Sequence, residues 1–280
     1  MLRLASMFAA LALGLAACAP TGPTSVTPGA GLLSAGSVPA IYQARTDIGP
    51  NGEPVEIPRV RAAYLNERNR RQRVAYNGPE APGTIVVDPY ARVLYDVMEN
   101  GEAMRFGIAV GRAGKGFNGD AVISVKKQWP SWTPTQNMIR TEPELYAQFA
   151  GGLSGGLDNP LGSRALYLYK NGRDTYYRIH GTMDPSSIGK ATSAGCIRLF
   201  NQDIMDLFDE TELGSRVKVR SQAESLRIEG PMIETPEGYV IPASDVSQAQ
   251  DAAVGAPVAA MYATAQPAFV SPVESAVPLR

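Results

Sequence analysis

Short apolar runs rich in Val, Ile, Leu and Tyr, broken by turn residues, mark the middle of the chain. Thr84-Ile85-Val86-Val87-Asp88 and Arg92-Val93-Leu94-Tyr95-Asp96-Val97 flank a Pro89-Tyr90-Ala91 turn. Asn100-Gly101, a strong two-residue hairpin signal, precedes Met104-Arg105-Phe106-Gly107-Ile108-Ala109-Val110. Further strands are predicted over residues 121–127, over Ala165-Leu166-Tyr167-Leu168-Tyr169 and Tyr176-Tyr177-Arg178-Ile179 around Asn171-Gly172, and over Val217-Lys218-Val219. Strands at hairpin spacing predict a mainly β domain, a barrel or sandwich, with few helices. One helix is expected near residues 142–150. A second follows Asn201, which stands where a cap belongs, while Ile204, Leu207 and Phe208 form an apolar stripe at i, i+3 and i+4. That helix would buttress the loop bearing Cys196.

The ends lack this patterning. Met1-Leu2-Arg3 and the uncharged run over residues 7–17 read as a signal peptide, too short and wrongly flanked for a membrane span. Leu15-Ala16-Ala17-Cys18 resembles a bacterial lipobox, in which Cys18 becomes the acylated first residue; the alternative is ordinary cleavage with Cys18 a bystander. The division expected is a signal peptide over 1–17, a linker and basic lead-in over 19–80, a catalytic domain over 83–220 and a disordered tail over 222–280. Residues 19–54 have linker composition. The lead-in carries Arg59, Arg61, Arg68, Arg70, Arg71 and Arg73, read either as attraction to anionic head groups or wall polymers or as a solvated helix leading into the domain. Without the signal, 25 basic residues face 27 acidic ones, which argues against a nucleic-acid partner. Membrane contact is expected through the lipid alone, at the periplasm-facing side of the envelope, with the outer membrane favoured because Ala19 carries no acidic retention signal.

Chemistry concentrates in one stretch. His180 is the only histidine, and Cys196, sixteen residues later, is one of two cysteines. A thiol becomes a good nucleophile only when deprotonated, and a neighbouring imidazole is the usual means. Gly195 lets the backbone aim amides at an oxyanion. A lone thiol in an exported chain reads as reactive, though a buried histidine and a small buried cysteine remain the plain alternative. A catalytic zinc needs about three protein ligands, which one histidine and one free cysteine do not readily supply; no metal and no cofactor is expected. Trp129-Pro130-Ser131-Trp132-Thr133-Pro134-Thr135 is a rigid aromatic loop that lines a groove or plugs the β core. The glycine-rich residues 151–162 form a flap over the cleft or a flexible connection.

His180-Gly181-Thr182, followed by Ser193-Ala194-Gly195-Cys196-Ile197-Arg198, Asn201 and Asp203, resembles the signature of the L,D-transpeptidase (YkuD-type) catalytic domain. The resemblance runs over about residues 83–219. Ala194 departs from it, since many members carry His, Ser or Arg there. The resemblance implies a YkuD-type fold and acyl transfer on peptidoglycan stem peptides. Cys196 would form a thioester, His180 would be the base oriented by the Gly181 carbonyl, and the oxyanion would rest on amides of Ala194, Gly195 and Cys196. Arg198, Ser193 and Thr182 are the candidates for substrate contact, with Arg198 otherwise ion-paired to Asp203 or Asp206. The partners expected are stem peptides and, as acceptor, a wall-attached protein; the protein itself is expected to be a monomer. The alternatives are a carboxypeptidase or amidase using water on the same acyl-enzyme, and a non-catalytic peptidoglycan-binding lipoprotein.

Overall fold

The computed structural model describes residues 38–111, 117–193 and 195–246, with the side chain of Ser193 excepted. The expected signal peptide, Cys18, the linker as far as residue 37, Ala194 and the tail beyond residue 246 lie outside the described residues. The strands are, in order, β1 (Arg45–Ile48), β2 (Pro54–Ile57), β3 (Gln72–Ala75), β4 (Ile85–Asp88), β5 (Val93–Val97), β6 (Glu102–Gly107), β7 (Val110–Gly111), β8 (Gly119–Gln128), β9 (Arg164–Lys170), β10 (Arg173–His180), β11 (Ala191–Ser193), β12 (Ile197–Arg198), β13 (Arg216–Val219), β14 (Met232–Glu234) and β15 (Val240–Pro242). The helices are α1 (Gln136–Thr141), α2 (Pro143–Tyr146), α3 (Asn201–Glu210) and α4 (Gln222–Glu229). The fold is mainly β. Where one helix was expected near 142–150, the chain forms α1, α2 and a 3-10 turn, because Pro143 starts a new helix after the non-helical Glu142.

One nine-stranded sheet runs β12-β10-β9-β8-β13-β4-β5-β6-β3. Most joins are antiparallel, but β10 with β12 and β13 with β4 are parallel. Two hairpins use the turns their residues favour: Asn100 and Asn171 take φ of 62° and 51°, and the following Gly101 and Gly172 both take 72°. Beyond β6 the chain reaches the opposite edge strand. Ala109 and Arg198 exchange two backbone hydrogen bonds of 2.9 Å, so the sheet curls toward closure. Inside it Ile85, Val87, Leu94, Phe106, Ile123, Leu166, Leu168 and Ile179 are fully buried, and α3 adds Ile204, Leu207 and Phe208.

The strands β4 and β5 are apolar on both faces, and this explains one correction. Val86, Ala91, Val93, Tyr95 and Val97 form a second cluster on the outer face, where Met232 packs. The Tyr95 hydroxyl donates to Glu229 of α4 at 3.0 Å, and the buried Arg220 meets the same carboxylate at 2.8 Å and Asp88 at 3.3 Å. The chain over residues 222–246 is therefore not a disordered tail but a cover for an apolar face that water would otherwise meet. Ser221 starts it with a reciprocal capping box to Glu224.

Nor is the chain over residues 38–80 a linker. Tyr42 and Val60 are buried with Ala109, Ile188 and Phe200, and β3 completes the main sheet. The basic lead-in is not helical beyond one 3-10 turn, and two of its arginines face protein. Arg71 reaches Asp206 at 2.5 Å and Asp203 at 3.6 Å, and Arg68 donates to the Ala91 carbonyl at 3.0 Å. Upstream, Arg45 meets Asp206 at 2.6 Å, and the Tyr42 hydroxyl donates to Asp203 at 3.2 Å. Burial outweighs these partners at Asp203, whose carboxyl is pushed up to about 7.

The packing of Tyr42 sets a prediction. Tyr42→Ala removes a fully buried ring lying edge-on to Phe200 at 5.6 Å. The expected cost is about 3–5 kcal/mol, as for other large aromatic truncations, read as a lower midpoint in urea unfolding. An unchanged midpoint would return this segment to the status of a loose leader.

Candidate active site

The hairpin of β9 and β10 ends at His180, and β12 lies parallel beside it with Ile179 opposite Ile197 and His180 opposite Arg198. A parallel pair needs a crossover, and residues 181–196 supply it. Alternation places Arg178, His180 and Arg198 on one face, and Cys196, two residues before Arg198, opens onto the same side. All four line a single cleft of about 810 Å³. Gly195, next to the thiol, takes φ of 140°, a conformation that L side chains rarely adopt.

His180 is 2% exposed, and its Nδ1 lies 2.7 Å from the Gly181 carbonyl oxygen. A carbonyl only accepts, so Nδ1 carries the proton and Nε2 is left as the base. Burial, then the Arg198 charge, push the imidazole down to about 3, with Arg178 adding to the effect and the Gly181 and Leu161 carbonyls opposing it. Cys196 is only half-buried by surface area, yet the cleft walls crowd the sulfur enough for desolvation to push its thiol up. A backbone hydrogen bond from Arg178 and the Arg178 and Arg198 charges pull it down, without cancelling burial. The Sγ lies 3.9 Å from the Tyr176 carbonyl oxygen. Both shifts favour the neutral imidazole and thiol over an ion pair.

Arg198 is not paired with Asp203 or Asp206, whose carboxylates are taken by Tyr42, Arg45 and Arg71. Its Nε is buried without a hydrogen-bond partner among the described residues. Arg178 is differently committed: it binds Asp174 through two contacts of 2.7 and 2.8 Å and stacks 4.1 Å from the Tyr167 ring centre. A bulge between Asp174 and Arg178 makes this possible, and Tyr176 within it takes φ of 62° and stands 74% exposed at the cleft. A charge pair four residues apart in a predicted strand gives no hint of that bulge. Thr182 touches the cleft, but its hydroxyl is engaged with the backbone of Asp184 at 3.0 and 3.2 Å, which fixes the loop and leaves little for substrate. Ala194 and the Ser193 side chain lie outside the described residues.

The aromatic loop divides its labour. Trp129 plugs the core beside Ile57 and Met205 and donates Nε1–H to the Ile48 carbonyl at 2.7 Å. Trp132 instead lines the cleft, against Tyr146 and Phe149. The glycine-rich stretch runs along the same cleft and is fastened to it: Leu153 and Trp132 exchange two backbone hydrogen bonds, and Asn159 Nδ2 donates to the carbonyls of Pro130, Leu153 and Ser154. Asn201 does not cap α3. Phe200 stands at that position, and the Asn201 side chain turns toward the loop after His180.

Comparisons with known proteins point the same way. The family model of the L,D-transpeptidase catalytic domain matches residues 82–219. The probable L,D-transpeptidase ErfK/SrfK of Escherichia coli (strain K12) is 36% identical over 142 residues, 50% of this chain and 44% of that protein. The probable L,D-transpeptidase YbiS of the same strain is 33% identical over 138 residues, 49% of this chain and 44% of that one. The chain thus spans less than half the length of these curated relatives. Among solved structures, a Brucella melitensis protein described as a probable carnitine operon oxidoreductase is 49% identical, covering 55% of this chain and 95% of that one, at a TM-score of 0.39.

The resting charge state is testable. With a raised thiol and an imidazole held neutral, Cys196 alkylation by iodoacetamide should climb with pH, its half-maximal rate above the roughly 8.5 of a free thiol. A plateau below pH 7 would show a preformed thiolate instead. The imidazole also leaves a mark on stability. Between its ordinary 6.5 and about 3 the unfolded chain binds a proton that the folded chain does not. Stability should fall as pH falls through that window, and a His180→Gln protein should show a shallower loss in urea titrations.

Proposed function

Because residues 82–219 belong to the L,D-transpeptidase catalytic domain family, we propose that this chain catalyses cysteine-dependent acyl transfer on peptidoglycan stem peptides, forming cross-links or attaching proteins to the wall. The observation that carries the reading is the parallel pairing of β10 and β12, which delivers His180, Cys196 and Arg198 to one cleft. These are acyl-transfer groups, and the chain is read by them in preference to the oxidoreductase description of the Brucella protein.

Cys196 Sγ attacks the donor carbonyl while its proton passes to His180 Nε2. The oxyanion rests on amides of the glycine-bearing segment at 194–196, where each such donor is worth about 3 kcal/mol in the transition state. Collapse expels the terminal D-amino acid, whose amine takes the proton from Nε2, and leaves a thioester on Cys196. An acceptor amine then attacks, gives its proton to Nε2 and releases the thiolate, which is reprotonated. The uncharged resting pair makes proton transfer part of the attack. Arg198, with a buried Nε–H unused, meets a donor carboxylate. An exported, lipid-anchored chain acylated at Cys18 belongs to the same proposal, supported by the N-terminal sequence alone.

Purified protein mixed with disaccharide-tetrapeptide and analysed by mass spectrometry should yield cross-linked dimers that vanish in Cys196→Ala and His180→Ala proteins. Tripeptide alone, equally dependent on Cys196, would assign the acyl-enzyme to water, and unchanged substrate would contradict the proposal. For Arg198→Gln, loss of a charged hydrogen bond to the donor should lower kcat/KM about 10- to 100-fold. An unchanged value would remove Arg198 from donor recognition.

A further inference from the structure

Asn201 opens α3 without capping it, and its buried side chain spans two loops. Its Oδ1 accepts from Ser163 N–H at 3.1 Å, from Thr182 N–H at 3.2 Å and from the Ser163 hydroxyl at 3.3 Å. Its Nδ2 donates to the Thr182 carbonyl at 2.9 Å. The Thr182 N–H and the Gly181 carbonyl are two ends of one peptide group, and that carbonyl is the acceptor for His180 Nδ1–H. The carboxamide and the imidazole therefore grip the same peptide from opposite sides. An amide whose N–H is engaged carries more negative charge on its oxygen, so hydrogen bonds in such a chain strengthen one another.

We propose that Asn201 is the positioning residue of the His180–Cys196 pair, acting through the Gly181–Thr182 peptide. It fixes the plane of the orienting carbonyl, holds the ring as the Nδ1–H tautomer with Nε2 free for the thiol proton, and tightens the bond as the ring becomes cationic. In the Ser-His-Asp and Cys-His-Asn arrangements a side chain performs this task by direct contact. In this cleft one peptide bond stands between. Two glycines make room for it: a Cβ at Gly181 would lie 2.2 Å, and one at Gly162 2.3 Å, from Asn201 Oδ1. The Ser163 contacts bring the end of the glycine-rich stretch to the same carboxamide, so the cleft wall and the base share one reference point.

The inference rests on the acyl-transfer reading of His180 and Cys196 but not on which acceptor ends the reaction. The chain's single histidine makes the test direct, because every imidazole signal belongs to it. Asn201→Ala and Asn201→Asp proteins would be compared with the parent by nitrogen-15 imidazole spectra, thermal unfolding and the second-order rate of acylation by a carbapenem. The parent should show the Nδ1–H tautomer. Asn201→Ala should shift toward a tautomer mixture and lose about 10- to 100-fold in acylation per folded molecule, part of what a positioned base contributes. Asn201→Asp, which keeps the acceptor for both amides but loses the donor, should fall between them and decides the matter if the alanine protein does not fold. A folded variant with parental spectrum and rate, or a loss that only tracks the unfolded fraction, would overturn the assignment. A parent that shows the tautomer but resists the carbapenem would sink the acyl-transfer reading while the spectra still judge Asn201.

Discussion

Two residue pairs of a parallel ladder, Ile179 with Ile197 and His180 with Arg198, set the geometry of the cleft. β12 has only two residues, so the pairing needs support from other sides. Ala109 holds the far edge of β12, Leu199 N–H donates to the His180 carbonyl at 2.9 Å, and Gly181 N–H donates to that of Arg164 at 3.1 Å. Behind them, α3 buries its apolar stripe in the main core. His180 and Arg198 thus sit on a scaffold whose backbone hydrogen bonds tie them to several neighbours, the kind of rigidity on which proximity catalysis depends.

The same burial that gives rigidity sets the electrostatics. Burial disfavours both the thiolate and the imidazolium, and the two arginines, which favour the thiolate, disfavour the imidazolium. The Asp174 clasp and the Tyr167 ring hold Arg178 in place, whereas Arg198 keeps hydrogen-bonding capacity for a ligand. Similar arginines on one face thus do different work, and only their partners distinguish them.

The main sheet was legible because its signals are local. The Asn-Gly turns and the β-rich runs place β4 to β6 and β9 to β10 within about three residues at each end, and the stripe on α3 identifies its core face. His180 and Cys196 stood out by scarcity and by the glycines beside them. What escaped was non-local. Tyr42, Ile57 and Val60 are scattered apolar residues in Pro- and Gly-rich surroundings; Tyr42 and Val60 find their place against Ala109, Ile188 and Phe200, and Ile57 against Trp129 and Met205. The cover over residues 222–246 exists because β4 and β5 are apolar on both faces, which a run such as Ile85-Val86-Val87 hints at without naming the partner. Asn201 looked like a cap because caps are read from the helix alone, while its contacts lie 19 and 38 residues away.

The central claim, that Cys196 carries the donor as a thioester while His180 manages the proton, is most directly tested by intact-protein mass spectrometry after rapid mixing with disaccharide-tetrapeptide and acid quench. The account predicts a transient increment equal to the donor less its terminal amino acid, mapped to Cys196, absent from Cys196→Ala and strongly reduced in His180→Ala. An increment on another residue, or turnover with no covalent adduct at any time, would contradict it.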